Sequence, residues 1–121
     1  MTQNQNSKRY DLEERTFQFT KKTVLYVKEL PKSTSNLEYS RQVIDSSGSV
    51  GANYIEANEV LSKKDFAMRI EICRKEAKES AYWLRLIVET NEERWRQEGK
   101  ILLSEALELK KIFSSILERS K

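Results

Sequence analysis

The side chains that could do chemistry in this chain are few. They are a lone thiol at Cys73, the Ser/Gly-rich stretch S-S-G-S-V-G-A-N-Y over residues 46–54, Asn53 and Glu56 close together, and two groups of cations. There is no histidine. That absence removes Ser-His and Cys-His nucleophile pairs, the commonest general base and nearly every zinc site. A single cysteine closes no internal disulfide and holds neither a structural zinc nor an iron–sulfur cluster; it fits a reducing cytoplasm. Asn53 and Glu56 lack the Glu-x-x-His spacing of a di-iron bundle, so they read as a pair hydrogen-bonding across helices or to a neighbouring subunit. The expectation is a protein with no enzymatic activity, no metal and no cofactor.

Crowded glycine and serine suggest a turn or a loop cradling a phosphate. No strand precedes this stretch and no P-loop lysine follows it. If one helix instead runs through it, Leu37, Ile44, Gly48, Gly51 and Ile55 share a stripe, with Val43, Ser47 and Tyr54 beside it. Glu38, Arg41, Asp45, Glu56 and Glu59 fall on the other side. The apolar phase is unbroken across the glycines, as a continuous helix requires.

The rest of the chain supplies the elements around that helix. Its 121 residues include one proline and three glycines, with 34% charged side chains, as suits a single, largely helical domain. No apolar run is long enough to span a membrane. The polar start M-T-Q-N-Q-N-S-K-R has no apolar h-region and reads as a short disordered tail over residues 1–9. Helices are expected at about 11–30, 36–61, 63–90 and 94–118. Asp11 with Glu14 and Ser62 with Asp65 have capping-box spacing, Pro31 stops the first helix, and the second begins near Asn36. Leu12, Thr16, Phe17, Phe19, Thr20, Thr23, Val24, Tyr26, Val27 and Leu30 make a broad face on the first helix. Trp95, Gly99, Leu102, Ala106, Leu109, Phe113 and Ile116 make a heptad-like stripe on the fourth. Four amphipathic helices with short turns form an all-α, up-down-up-down antiparallel four-helix bundle over residues 10–121.

The main stripe of the third helix is Phe66, Ile70, Cys73, Ala77, Ser80/Ala81, Leu84 and Ile87/Val88. Folding the chain about residues 61–63 sets Gly48 opposite about Ala77 and Gly51 opposite about Cys73. Gly48, Gly51, Ala77, Ser80 and Ala81 are therefore expected to form a packing notch between helices two and three. Its cost is about 1 kcal/mol per glycine in helix propensity. Tyr54 and Tyr82 are expected in the core.

Met68, Ile72, Trp83 and Leu86 form a second apolar line on the third helix, expected to mediate self-association unless Trp83 merely covers a neighbouring helix. Residues 1–62 carry 8 basic and 8 acidic side chains, whereas residues 63–121 carry 14 and 11, so the whole positive excess lies in the second half. Arg74, Lys78 and Arg85 lie close together around the third helix, and Arg94, Arg96 and Lys100 cluster at the start of the fourth. Either group could meet RNA or DNA phosphates; single members read equally as a solvated face laced with Glu71 and Glu79 pairs. No base-stacking platform is apparent.

The words S-V-G-A-N-Y-I-E-A (49–57), S-K-K-D-F (62–66), K-E-A-K-E-S-A-Y-W-L (75–84) and Y-D-L-E-E-R-T-F-Q-F resemble the bacterial 23S rRNA intervening-sequence proteins over residues 8–118. The resemblance implies an up-down bundle assembled into homopentamers in an RNA or DNA context, with no catalytic residues to carry over. A similar fold occurs in the accessory variability protein of diversity-generating retroelements, which binds nucleic acid and a reverse transcriptase. The reading is a cytoplasmic homo-oligomer acting as a nucleic-acid-associated adaptor. The alternative is a scaffold for an unidentified protein partner, with no nucleic-acid role.

Overall fold

The computed structural model describes the backbone of residues 2–120 and the side chains of residues 11–120. Four helices follow in order: α1 (Thr2–Lys28), α2 (Thr34–Ala57), α3 (Lys63–Thr90) and α4 (Arg96–Arg119), the last entered through a 3-10 turn at Glu93–Trp95. They pack as an all-α four-helix bundle, α3 between α2 and α4, with α1 closing the fourth side.

Caps fix the central boundaries. Ser62 Oγ accepts from Asp65 N at 3.1 Å and starts α3 where its spacing predicts. Ser33, three residues before Asn36, is the cap of α2, its Oγ accepting from Asn36 N at 3.1 Å. Asn36 is then used elsewhere. Its amide donates to Pro31 O and to Asn91 Oδ1 at 2.9 and 2.8 Å, while Asn91 Nδ2 donates back to Asn36 Oδ1 at 2.9 Å. This reciprocal pair ties the α1–α2 and α3–α4 connections together at one end of the bundle. At the other end, Asn58 terminates α2 at Ala57, short of the expected 61, and its Nδ2 donates to Glu13 Oε2 at 2.8 Å. The first helix starts at Thr2, so Asp11 lies inside it and caps nothing. No proline or glycine occurs before Pro31 to interrupt the backbone over residues 2–9, the segment expected as a tail. The side chains of that segment lie outside the described residues.

The α2–α3 register is the one that folding about 61–63 predicts, but the glycines do not occupy it. Ser46 and Ser80 hydroxyls meet at 2.8 Å, Cys73 Sγ donates to Val50 O at 3.4 Å, and Arg69 Nη1 donates to Asn53 Oδ1 at 2.9 Å. Gly48 and Gly51 face α1 instead. A Cβ on Gly51 would sit 3.0 Å from Thr16 Oγ1, and one on Gly48 would meet Thr20 Cγ2 at 3.9 Å. The expected notch is thus split. Ala77, Ser80 and Ala81 are buried within α3, whereas the two glycines admit the threonines of α1. The inward phase of α2 is Val43, Ser46, Ser47, Val50, Tyr54 and Ala57.

The tightest approach is at Gly99. Its absent Cβ leaves room for the Tyr26 hydroxyl, which donates to Trp95 O at 2.7 Å, and for Val88. Arg15 clasps Glu105 across α1 and α4 with two bonds of 2.7 and 2.8 Å. Burial, with a smaller effect of Glu98, pushes the Tyr26 phenol from 10.0 up to about 12, and burial likewise lifts the Cys73 thiol from 9.0 to about 12. Both groups keep their protons longer in the folded chain, so their contribution is complete below the unfolded values and is lost as pH rises. Melting temperature should therefore decline between pH 9 and pH 12. Tyr26→Phe should make the upper part of that decline shallower.

Candidate functional site

The cations singled out on α3 do not act alike. Arg74 is half-buried and paired with Glu71, one turn away on its own helix. Lys78 is exposed, and exposed Arg85 reaches Glu89 at 2.9 Å in a solvated pair of the kind that contributes little. Arg94 lies over the Trp95 ring, 4.9 Å from its centroid, while Arg96 and Lys100 are exposed near the start of α4. The structure therefore leaves Lys78 and Arg85 outward on α3, with a separate group where α3 passes to α4.

Lys78 also lines a cleft of about 490 Å³ with Lys75, Glu79, Tyr82 and Trp83 of α3 and Gln42 of α2. Three rings cross this part of the surface. Tyr39 of α2 lies 6.1 Å from Trp83, and Tyr82 meets Trp83 edge-on at 5.1 Å. Tyr54 is buried as expected, but Tyr82 is not a core residue: it is 59% exposed. Beside the cleft, burial and then Glu79 and Asp45 hold the Glu76 carboxyl above the ordinary carboxylate range.

The second apolar line of α3 is only partly outward. Met68 is exposed, Ile72 and Leu86 are half-buried, and Trp83 covers Tyr39 of its own bundle. The larger apolar surface lies over α1 and α2. Phe17, Leu25, Leu37, Ile44 and Ile55 are between 40% and 59% exposed. Phe17, Leu25 and Ile55 flank a groove of about 500 Å³ to which Thr16, Thr20, Gly48 and Gly51 contribute. Of the stripe through Gly48 and Gly51, expected to face α3, Gly48, Gly51 and Ile55 line this groove instead, while Leu37 and Ile44 border a separate hollow beside Val27, Leu30 and Pro31.

Residues 8–115 match the family described as 23S rRNA-intervening sequence protein. The chain belongs to this family. It is also similar to a crystal structure of a protein of unknown function from the S23 ribosomal protein family of Bacteroides thetaiotaomicron, with 28% identity and a TM-score of 0.77, over 92% of this chain and 98% of that one. No curated protein is significantly similar.

In this family member, Asn53 does structural work. It accepts from Arg69 and donates to Ser49 O at 2.9 Å, while Glu56 points outward. Among the described residues no group of three or more acidic or cysteine side chains could hold a metal, and no helix is long and apolar enough to cross a membrane. Sequence reasoning missed the ring cluster because Tyr39 and Trp83 are far apart in the chain. The signal it contained was the spacing of Lys75, Lys78, Tyr82 and Arg85, which alternates three and four residues and so follows one line along a helix.

Proposed function

We propose that the protein is a non-enzymatic, cytoplasmic homo-oligomer, pentameric as the family resemblance implies, that serves as a nucleic-acid-associated adaptor. The observation that carries this reading is the outward α1–α2 groove. Phe17, Leu25 and Ile55 in the groove, with Leu37 and Ile44 farther along α2, leave on the order of 400 Å² of exposed apolar surface on the outer side of α1 and α2, within the range at which a monomer's largest patch is often functional. A standard interface buries about 800 Å² per partner, a little over half of it apolar, so this patch supplies most of the apolar share. A second copy of the chain is the occupant proposed. Self-association would also place several copies of the Lys78 and Arg85 surface on one particle, adding phosphate contacts that are weak singly.

The test is salt-dependent binding of structured RNA and duplex DNA. Lys78→Gln combined with Arg85→Gln should weaken binding and reduce the slope of log affinity against log salt by roughly 0.7–0.9 per lost phosphate contact. Assembly should be unchanged. Arg74→Gln should add little, because Glu71 already engages that guanidinium. An unchanged slope in the double variant would move the contact to Arg94, Arg96 and Lys100. Absence of binding at about 100 mM salt, where charges beyond about 10 Å are screened, would leave a protein–protein scaffold.

A further inference from the structure

We infer that the cleft beside Tyr82 and Trp83 is a binding site for single-stranded nucleic acid, taking an unstacked base against the Tyr82 ring with the adjoining phosphates on Lys75 and Lys78. The inference rests on the nucleic-acid reading above and specifies its ligand and its site.

Four observations converge on it. Tyr82 is more than half exposed, although a tyrosine placed for packing alone would be expected to bury its ring. Trp83 abuts it edge-on, and Tyr39 supports Trp83 from the next helix, so the exposed ring stands on an aromatic base. Lys75 and Lys78 line the same cleft as Tyr82, and Arg85 continues their line one turn beyond the ring. The cleft, about 490 Å³, also carries the Gln42 amide, which can donate to or accept from a base edge. An aromatic face between cations is the arrangement by which proteins hold single strands with little sequence preference. Bases within a duplex are already stacked on one another and cannot use it. Glu79 is the opposing feature: its carboxylate lines the same cleft and repels the strand.

Anisotropy titrations of the full chain at low salt with three labelled probes test this: a short oligo-dT strand, an abasic strand of equal length, and a duplex. Tyr82→Ala should weaken oligo-dT binding by about 5- to 100-fold, the usual worth of one stacked base, and leave the abasic strand and duplex nearly unaffected. Tyr82→Phe should keep wild-type affinity, since the face is retained. Lys75→Gln should weaken all three probes, and Glu79→Gln should tighten all three. Tyr82 is exposed, so its variants should keep wild-type helicity by circular dichroism. If Tyr82→Ala leaves oligo-dT binding intact, or weakens all three probes equally, while Lys78→Gln with Arg85→Gln still lowers affinity, the stacking site is wrong and the nucleic-acid reading stands. If no probe binds the wild-type protein, both fail together.

Discussion

Gly99→Ala should be the most damaging single methyl that can be added to a glycine of this chain. The new Cβ would collide with the Tyr26 hydroxyl and stand 2.7 Å from Val88 Cγ2, and both neighbours are buried. Moving Tyr26 aside breaks its bond to Trp95 O, which joins α1 to the start of α4. Overpacking of this kind typically costs about 1–3 kcal/mol, and the broken bond adds about 1 kcal/mol. For a domain of this size each kcal/mol lowers Tm by about 4 °C. The other two glycines order the series. At Gly48 the Cβ meets only Thr20 Cγ2, at ordinary contact distance, so Gly48→Ala should stabilise by up to about 1 kcal/mol of helix propensity. At Gly51 the Cβ presses on Thr16, whose hydroxyl is held to Glu13 O at 2.9 Å, so the same gain is largely cancelled. Thermal melts of the three variants should rank Gly48→Ala above wild type, Gly51→Ala near it and Gly99→Ala far below. Tyr26→Phe should recover part of the loss in Gly99→Ala, because the hydroxyl is the nearest obstacle. Equal melting temperatures for Gly48→Ala and Gly99→Ala would contradict the close packing of Tyr26 and Val88 on Gly99.

The same series marks what the amino-acid pattern contains and what it omits. Helical periodicity, Ser62 as a cap, Pro31 as a stop and the short 58–62 turn are local signals, and they suffice for four helices and for the α2–α3 register. The azimuth of α2 is not local. Val43, Val50 and Ala57 make one apolar line, and Leu37, Ile44 and Ile55 make another beside it. Serine, glycine and alanine edge both lines, so periodicity alone does not say which meets α3 and which meets α1. The outcome depends on the partners. Ser80 and Cys73 offer hydrogen bonds to the first line, and Thr16 and Thr20 need the space the glycines leave. Gly99 is legible only as a member of the α4 stripe, because its reason, a tyrosine from α1, is remote in sequence. Tyr82 looks like a core residue beside Ala81 and Leu84 until the backbone places it one step around the helix.

The α1–α2 groove gives the largest expected change in the state of the molecule. Phe17→Ser with Ile55→Ser should convert the assembled protein into monomers at micromolar concentration, read as a fall in light-scattering mass towards 14.3 kDa. The substitutions remove two of the large side chains lining the groove and put hydroxyls where a partner would need apolar contact. Both residues are about half exposed in the protomer, so helicity should be retained and melting measured on the monomer should change little. Met68→Ser is the control for the other surface. Met68 is exposed on α3, but Trp83 of the same line is engaged with Tyr39 inside the bundle, so this change should leave the mass intact. A double variant that keeps the wild-type mass while Met68→Ser lowers it would return the interface to Met68, Ile72, Trp83 and Leu86. A wild-type chain that is already monomeric would remove the oligomer altogether. Nucleic-acid binding should follow the assembly, because a monomer presents one copy of Lys78 and Arg85 and loses the gain from simultaneous contacts. Comparing the Phe17/Ile55 variant with Lys78→Gln and Arg85→Gln on the same probe therefore separates the two surfaces. The first should lower affinity through valency and change mass, and the second should lower it through charge and leave mass unchanged.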